Sequence, residues 1–165
     1  MVVTGADEVI TKLSNLRLLI GTVTTDVVQE LCKEGEVYAF NKVESAVYSG
    51  TNDVVVVSNG TGFNGRVDAM GNAIAFIEFG AGMRYPADHP QAGEYGFYPG
   101  SFSRRKDLTK GWSYYGTPGL SDAQRSEKMP GGWHTYGNPA NKCMFHTAQY
   151  MRKRIIPLFR EKWKR

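Results

Sequence analysis

The sequence is poor in the residues that build disulfide frameworks and metal sites. Only two of its 165 residues are cysteines, Cys32 and Cys143, and only three are histidines. The cysteines lie far apart and form no CxxC pair, whereas a structural zinc site usually takes four closely spaced Cys or His ligands. A chain of this length buries enough surface to fold without such crosslinks. We therefore expect one domain, residues 1–165, with no cofactor and no bound metal.

Long apolar runs are also missing. The longest are VVVV at 54–57 and LLIG at 18–21, far short of the roughly 20 residues that a membrane span requires. The first residues, MVVTGADEVITKL, lack the basic-then-apolar pattern of a secretion signal. These absences predict a soluble protein that folds in the cytosol and has no membrane partner.

The excess of positive charge lies at one end of the chain. The net charge is +4, but the stretch from Met151 to Arg165 alone carries +6. Its seven cations are Arg152, Lys153, Arg154, Arg160, Lys162, Lys164 and Arg165. With Phe159 and Trp163 between them, they could grip the phosphates of DNA or an acidic partner. The alternative is a solvated helix end with snorkelling side chains.

Helical periodicity marks both ends of the chain. Apolar residues recur at steps of three or four over 9–31 and again over 37–47, which predicts a helical region within residues 1–50. Thr4 is a possible N-cap and Gly35 a predicted stop, and the glycine and threonines at 21–25 leave two shorter helices possible. A basic C-terminal helix is predicted over 138–165, with Asn138 as N-cap and Pro139 at the first helical position. Pro157 should end this helix near Arg154 or kink it.

A different pattern occupies residues 51–82. The stretches 53–58 and 65–70 predict a β-hairpin, the first strand buried, with turn chemistry at 59–62. Residues 73–79 fit a short helix stopped by Gly80, and a buried strand fits almost as well. We therefore expect an α+β fold with a small antiparallel sheet.

Residues 83–136 form a glycine- and aromatic-rich insertion. Between Gly80 and Gly137 there is no Val or Ile, and this span holds eleven of the nineteen glycines. Such a segment is either a contact surface, since large aromatic side chains dominate interfaces, or a hairpin or Ω-loop that packs its own aromatics. The candidate interface residues are Tyr95, Phe97, Tyr98, Phe102, Trp112, Tyr114, Tyr115 and Trp133.

Glu78 is the carboxylate that decides whether catalysis is plausible. It stands in AIAFIEFGAG, residues 73–82, between Ile77 and Phe79. Glycosidase chemistry needs two facing carboxylates, and no partner acid is obvious in the sequence. No histidine pair has metal-ligand spacing, and no glycine cluster matches a phosphate-binding motif. We therefore predict no catalytic residue, and a structural role for Glu78 with a backbone N–H or Arg84 as its partner.

The order of two motifs carries a resemblance. IEFGAG, residues 77–82, precedes the insertion, and Gly137-Asn138-Pro139-Ala140 leads into the last helix. The chain thereby resembles the tail-completion, or tail-component, family of long-tailed bacteriophages. That family carries a hydrophobic-Glu-aromatic-Gly-Thr-Gly turn and a Gly-x-Pro-Ala motif in this order. Ala81 stands where Thr is usual, which weakens any role for a hydroxyl there. Glu78, Gly80, Gly82, Gly137 and Pro139 are the motif residues.

The resemblance implies a non-enzymatic virion protein of the tail or neck. Such proteins complete the tail or join it to the head, and assemble as rings, with a hexamer implied here, in the cytoplasm of the bacterial host. Neck, tail-terminator or tail-tube proteins would be the neighbours, and DNA in the channel a possible contact. A tail terminator or a head-closure stopper is an alternative within the class. A small DNA-binding or metal-dependent nuclease-like protein is the alternative from another class.

Overall fold

The computed structural model describes residues 5–48, 51–82, 88–98, 112–114, 127–130, 132–135 and 137–164. Over these ranges the protein has the predicted α+β fold, with a long N-terminal helix, a small antiparallel two-stranded sheet and a C-terminal helix. Among the residues discussed above, Thr4, Arg84, Phe102, Tyr115 and Arg165 lie outside the described ranges.

The chain divides into two compact units. One comprises Met1–Glu36, Val57–Asp68 and Gln149–Arg165, and the other Val37–Val56 and Ala69–Ala148. Within the described ranges no helix is both long and apolar enough to cross a membrane.

The N-terminal region is one helix, α1, from Ala6 to Glu44. The two shorter helices that the sequence left possible do not form. The threonine hydroxyls at 22, 24 and 25 bond to carbonyls four residues earlier, so these residues are accommodated within the helix. Gly35 does not end α1 either. Its missing side chain leaves room for Met151 and Val67, so packing explains this glycine.

The predicted hairpin forms from β1, Val55–Thr61, and β2, Asn64–Met70. Both strands reach closer to the turn than expected, which leaves Gly62 and Phe63 as the connection. The prediction of a fully buried first strand is wrong. Val56 is buried, but Val55 and Val57 are exposed, because they face the other side of a two-stranded sheet.

Residues 74–79 form a short helix, α2, Ile74–Phe79. Gly80 ends it with φ +75° and donates its N–H to the carbonyl of Phe76. The helical alternative of the sequence is therefore the correct one. The next strand, β3, follows at once at Ala81–Gly82.

The insertion is built from short elements where it is described. A 3-10 helix spans Ala92–Tyr95, and three strands follow: β4, Trp112–Tyr114; β5, Glu127–Met129; and β6, Gly132–Thr135. They form an antiparallel sheet in the order β4-β6-β5. β7, Gly137–Asn138, pairs instead with β3.

The last helix, α3, runs from Cys143 to Trp163, so its predicted start is wrong. Asn138 is not the N-cap and Pro139 is not the first helical residue. Asn138 pairs with Ala81 in the sheet, and Lys142 has φ +53°, which helical geometry does not allow. Nor does α3 end near Arg154, because it continues past Pro157.

Packing against α1 explains why α3 continues past Pro157. In the first unit, Leu158 is buried against Val23 and Val27, with Leu31 and Phe159 packed beside them. Burying one such aliphatic side chain stabilises by about 1.5–3 kcal/mol, close to what an interior proline costs. In the second unit, Ile77, Val43 and Cys143 are the largest fully buried apolar side chains.

Candidate functional site

The two sequence motifs meet in space. β3 and β7 pair antiparallel, with Ala81 opposite Asn138 and Gly82 opposite Gly137. The Asn138 side chain also donates to the carbonyl of Phe76 at 2.7 Å. IEFGAG and GNPA, separated by more than fifty residues, therefore form one joint between α2 and the start of α3.

Gly80 is required where the two motifs touch. A Cβ at this position would lie 2.6 Å from the backbone nitrogen of Ala140 and 2.8 Å from the carbonyl carbon of Pro139. Both distances are too short for any side chain. The positive φ of Gly80 adds a second reason for glycine. Pro139 thus acts here by packing its backbone against Gly80.

Glu78 caps α3 from a distance. Its Oε2 accepts the N–H of Met144 at 2.7 Å, and its Oε1 accepts the N–H of Phe145 at 2.9 Å. The first amides of a helix have no intrahelical acceptor, and the helix dipole favours a negative charge beside them. The Glu78 carbonyl takes the N–H of Lys142 as well. The sequence predicts a backbone N–H or Arg84 as the partner of Glu78. The structure shows backbone N–H groups bonded to it, and Arg84 lies outside the described ranges.

His89 supplies the third bond to the carboxylate. Its Nε2 lies 3.0 Å from Oε1 of Glu78, and both side chains are buried. The N–H of Gln91 donates to Nδ1 of His89 at 3.1 Å, so Nδ1 carries no proton. Nε2 must then be the donor to Glu78. Both ring nitrogens are therefore engaged within the protein, which leaves neither available for a substrate.

An aromatic layer closes the site. Phe79 packs against the rings of His89, Tyr95 and Phe97 at centroid distances of 4.8, 5.0 and 4.9 Å. Phe145 contacts His89 from α3 at 5.2 Å. The start of the insertion therefore packs on α2 and shields the Glu78 carboxylate from water.

Asn141 ties the start of α3 to the segment after α1. Its side chain accepts the N–H of Val47 at 2.9 Å and donates to the Val47 carbonyl at 3.0 Å. Its own N–H donates to the carbonyl of Ile77. These bonds fix the irregular stretch between β7 and α3, which explains why the helix starts later than its sequence suggests.

Cys143, next to the carboxylate, is chemically inert. The side chain is fully buried, and its thiol donates to the carbonyl of Lys42 at 3.3 Å. Burial, together with the nearby charge of Glu78, raises the pKa of the Cys143 thiol to about 12. The thiol therefore stays protonated and is not a nucleophile at neutral pH.

The predicted interface aromatics separate into different environments. Phe97 is buried in the layer beside Phe79, whereas Tyr95 and Tyr98 are exposed. Trp133 is half-buried in β6. Trp112 and Tyr114 lie in β4, opposite Thr135 and Trp133. Phe97 thus serves the packing of its own unit.

The basic residues of the C-terminal stretch fall into two groups, those paired with acidic residues of α1 and those exposed to solvent. Arg154 forms two hydrogen bonds to Glu34 of α1, Nε–Oε2 at 2.7 Å and Nη2–Oε1 at 2.5 Å. Lys162 approaches Glu30 at 3.8 Å. Arg152, Lys153 and Arg160 are exposed on α3, and Lys164 is exposed just after its end. Two of the predicted contact residues thus bind within their own unit.

Sequence reasoning missed His89 and Asn141 as members of the site. The helix periodicity of residues 140–163 could not reveal a cap supplied from position 78. Nothing in the spacing of His89 signals its carboxylate, because the two residues meet only after α2 and the segment at 88–98 fold together. Among the described residues, no group of three or more His, Cys, Asp or Glu side chains could hold a metal ion.

Comparison of the chain with family models, with characterised proteins and with solved structures finds no match.

Proposed function

We propose that this protein is a structural virion component of a tailed bacteriophage, acting in tail completion or head–tail joining at the neck. It works by assembling as a ring and contacting neighbouring neck or tail proteins. The proposal has two supports: the motif order of the sequence and the chemistry of the joint where the motifs meet.

The observation that carries the proposal is the full engagement of Glu78. Its carboxylate accepts three hydrogen bonds from groups of the protein itself. A general acid or nucleophile needs a lone pair or proton that a substrate can reach. The side chain is buried beneath an aromatic layer, as a structural cap requires. The chemistry of the site is therefore positioning, which suits an assembly protein better than an enzyme.

The exposed aromatics offer a contact surface beside this joint. Tyr95 and Tyr98 are each about three-fifths exposed, next to buried Phe97. Tyrosine supplies large contact area and a polar tip, and it is enriched in interfaces. Ring assembly joins unlike faces of neighbouring subunits, and we assign one such face to this part of the insertion.

A stop codon in the gene, introduced in its phage, tests the function. Induced cells should contain filled heads and finished tails that stay unjoined in electron micrographs, and a plasmid copy should restore virions. Intact infectious particles without the protein would overturn the proposal. If a plasmid copy with Glu78→Gln also leaves heads and tails unjoined, the joint around Glu78 is needed for this function.

The exposed cations of α3 favour DNA binding as the second candidate. Arg152, Lys153 and Arg160 follow spacings that bring them near one face of the helix, and Lys164 lies just beyond its end. If they contact DNA, affinity for a duplex should fall steeply with salt, and Arg160→Glu should reduce the slope. Lys33→Glu, an exposed change on α1, is the matched control. Absence of binding at low salt would remove this candidate.

A further inference from the structure

The first turns of α1 expose an apolar stripe. Val9, Leu13, Leu16 and Ile20 are between 44% and 60% exposed. They follow one another at steps of four, three and four, the spacing of positions a and d in a heptad. Scattered exposed apolar residues need no explanation, but a continuous row of large ones along one helix face marks a contact surface.

This stripe continues an interface that already exists. The next two residues of the same heptad row are Val23 and Val27, which are only 4% and 5% exposed because Leu158 of α3 covers them. α3 ends at Trp163, and its residues Leu158, Phe159 and Lys162 contact α1 around Val23, Val27 and Glu30. The row is thus covered at its C-terminal end and bare at its N-terminal end.

We infer that residues 9–20 of α1 pair with the same residues of a second copy, in antiparallel orientation. In this alignment Val9 meets Ile20 of the second copy, and Leu13 meets Leu16, so every a position faces a d position. The stripe is therefore complementary to itself. This inference does not depend on the proposed function.

Charge argues for a second copy and for this orientation. The first turns carry Asp7 and Glu8 against Lys12 and Arg17, so two copies bring no net charge together. In a parallel pair, flanking positions five residues apart would place Lys12 beside Arg17 of the second copy, twice. In the antiparallel pair Lys12 faces Leu19 of the second copy and Arg17 faces Ile10. The aliphatic stems of the two basic side chains can cover these apolar residues.

A two-fold contact of this kind closes on itself, whereas a ring joins unlike faces. The dimer and the ring are therefore separate assemblies with separate tests. A chain that forms rings but no dimer would overturn only this inference, and a dimer without rings would count only against the proposed function.

Sedimentation of the full chain tests the inference. We expect a species of twice the chain mass that dissociates on dilution. Leu13→Glu should yield monomer with unchanged helicity by circular dichroism. The matched control is Leu18→Glu, which changes a residue that is 70% exposed on the opposite side of the helix and should leave the dimer intact. A wild-type chain that stays monomeric at high concentration, or a control as disruptive as Leu13→Glu, overturns the inference, and another protein or segment then covers the stripe.

Two further variants keep the test decisive. If Leu13→Glu fails to fold, Leu16→Ala should still weaken dimerisation at least tenfold, and no change would contradict the pairing. Orientation follows from oxidation of variants that add one exposed cysteine to the chain, whose own Cys32 and Cys143 are buried. A mixture of Val9→Cys and Ile20→Cys chains of different length should crosslink to each other, while Val9→Cys alone should not. Crosslinking of Val9→Cys with itself would overturn the antiparallel arrangement.

Discussion

Glu78 shows how one residue can set the start of a helix from a distant part of the chain. The carboxylate is buried and satisfied by two backbone N–H groups and the imidazole of His89. Its position before two glycines predicts a structural charge, and that much can be worked out from sequence. The identity of its partners cannot, because they depend on the pairing of β3 with β7.

Removing this cap should destabilise the fold. Glu78→Ala leaves two buried amides and the Nε2–H of His89 without an acceptor, and we expect a loss of about 2–4 kcal/mol in the free energy of unfolding. Urea titration followed by circular dichroism measures it. Glu94→Ala, at an exposed position of the 3-10 helix, is the control and should change little. An unchanged midpoint for Glu78→Ala would contradict the capping role.

Gly80 and Gly96 provide a matched pair of left-handed glycines. Their φ angles are +75° and +76°, but a Cβ at Gly80 would strike the backbone of Ala140, whereas nothing lies within 4 Å of one at Gly96. The ψ of Gly80, 169°, is also closed to other residues, while that of Gly96, 18°, is tolerated.

We therefore expect Gly80→Ala to lower the unfolding free energy by about 3 kcal/mol or more, and Gly96→Ala by about 1 kcal/mol. Thermal unfolding of both variants beside the wild type gives the comparison. Equal losses at the two positions would mean that the close approach of the motifs contributes nothing to stability.

At the scale of elements, sequence periodicity finds helices better than their ends. The row of apolar residues in α1 predicts that this helix exists. Gly35 suggests that the helix stops there, but the structure explains the glycine by its packing against Met151. Pro157 predicts a break that the burial of Leu158 offsets. Asn138 and Pro139 have the local chemistry of a helix start, but Asn138 instead pairs with Ala81 in the sheet. In each case tertiary contacts outweigh a local preference.

The pairing of α1 with α3 should make stability depend on acidity. Hydrogen bonds from Arg154 hold the pKa of Glu34 below its ordinary value of 4.5. Because the folded-state pKa is lower than the unfolded one, ionised Glu34 contributes stability above that ordinary value. This contribution is lost as the pH falls through the folded-state pKa.

Glu34→Gln should therefore flatten the loss of stability below about pH 4.5, a range set by the carboxylate. Urea midpoints measured across acidic pH test this, with Glu44→Gln at the exposed end of α1 as the control. Part of the dependence should remain, since backbone N–H groups of Ala73 and Asn72 also lower the pKa of Asp53. Identical pH profiles for wild type and Glu34→Gln would exclude the effect.

At the scale of the whole molecule, composition predicts which segment is unusual but not which of its residues face water. The insertion is rich in aromatics and glycine, and its described start places Phe97 inside and Tyr98 outside. The difference arises from Phe76 and Phe79 of α2, whose rings pack on Phe97. No periodicity in the insertion could have signalled that partnership.

These neighbouring aromatics give opposite predictions. Phe97→Ala should cost about 3–5 kcal/mol of stability, because it empties a buried ring site. Tyr98→Ala should cost less than about 1 kcal/mol, since the side chain is exposed and its hydroxyl donates to the carbonyl of Gly93 at the surface. Under the proposed function only Tyr98→Ala leaves a folded chain that fails to assemble. Unfolding curves and electron microscopy of assemblies measure both, and normal rings from Tyr98→Ala would contradict its interface role.

The ion pair between Glu34 and Arg154 spans 120 positions of the chain. During synthesis α1 therefore leaves the ribosome long before α3 exists to cover Val23 and Val27. At about 5–20 residues per second, that interval lasts many seconds. For this time the whole apolar row of α1 is open to other nascent chains or to chaperones. Newly made protein should be most prone to aggregation in this interval, and a chain truncated before α3 should remain so.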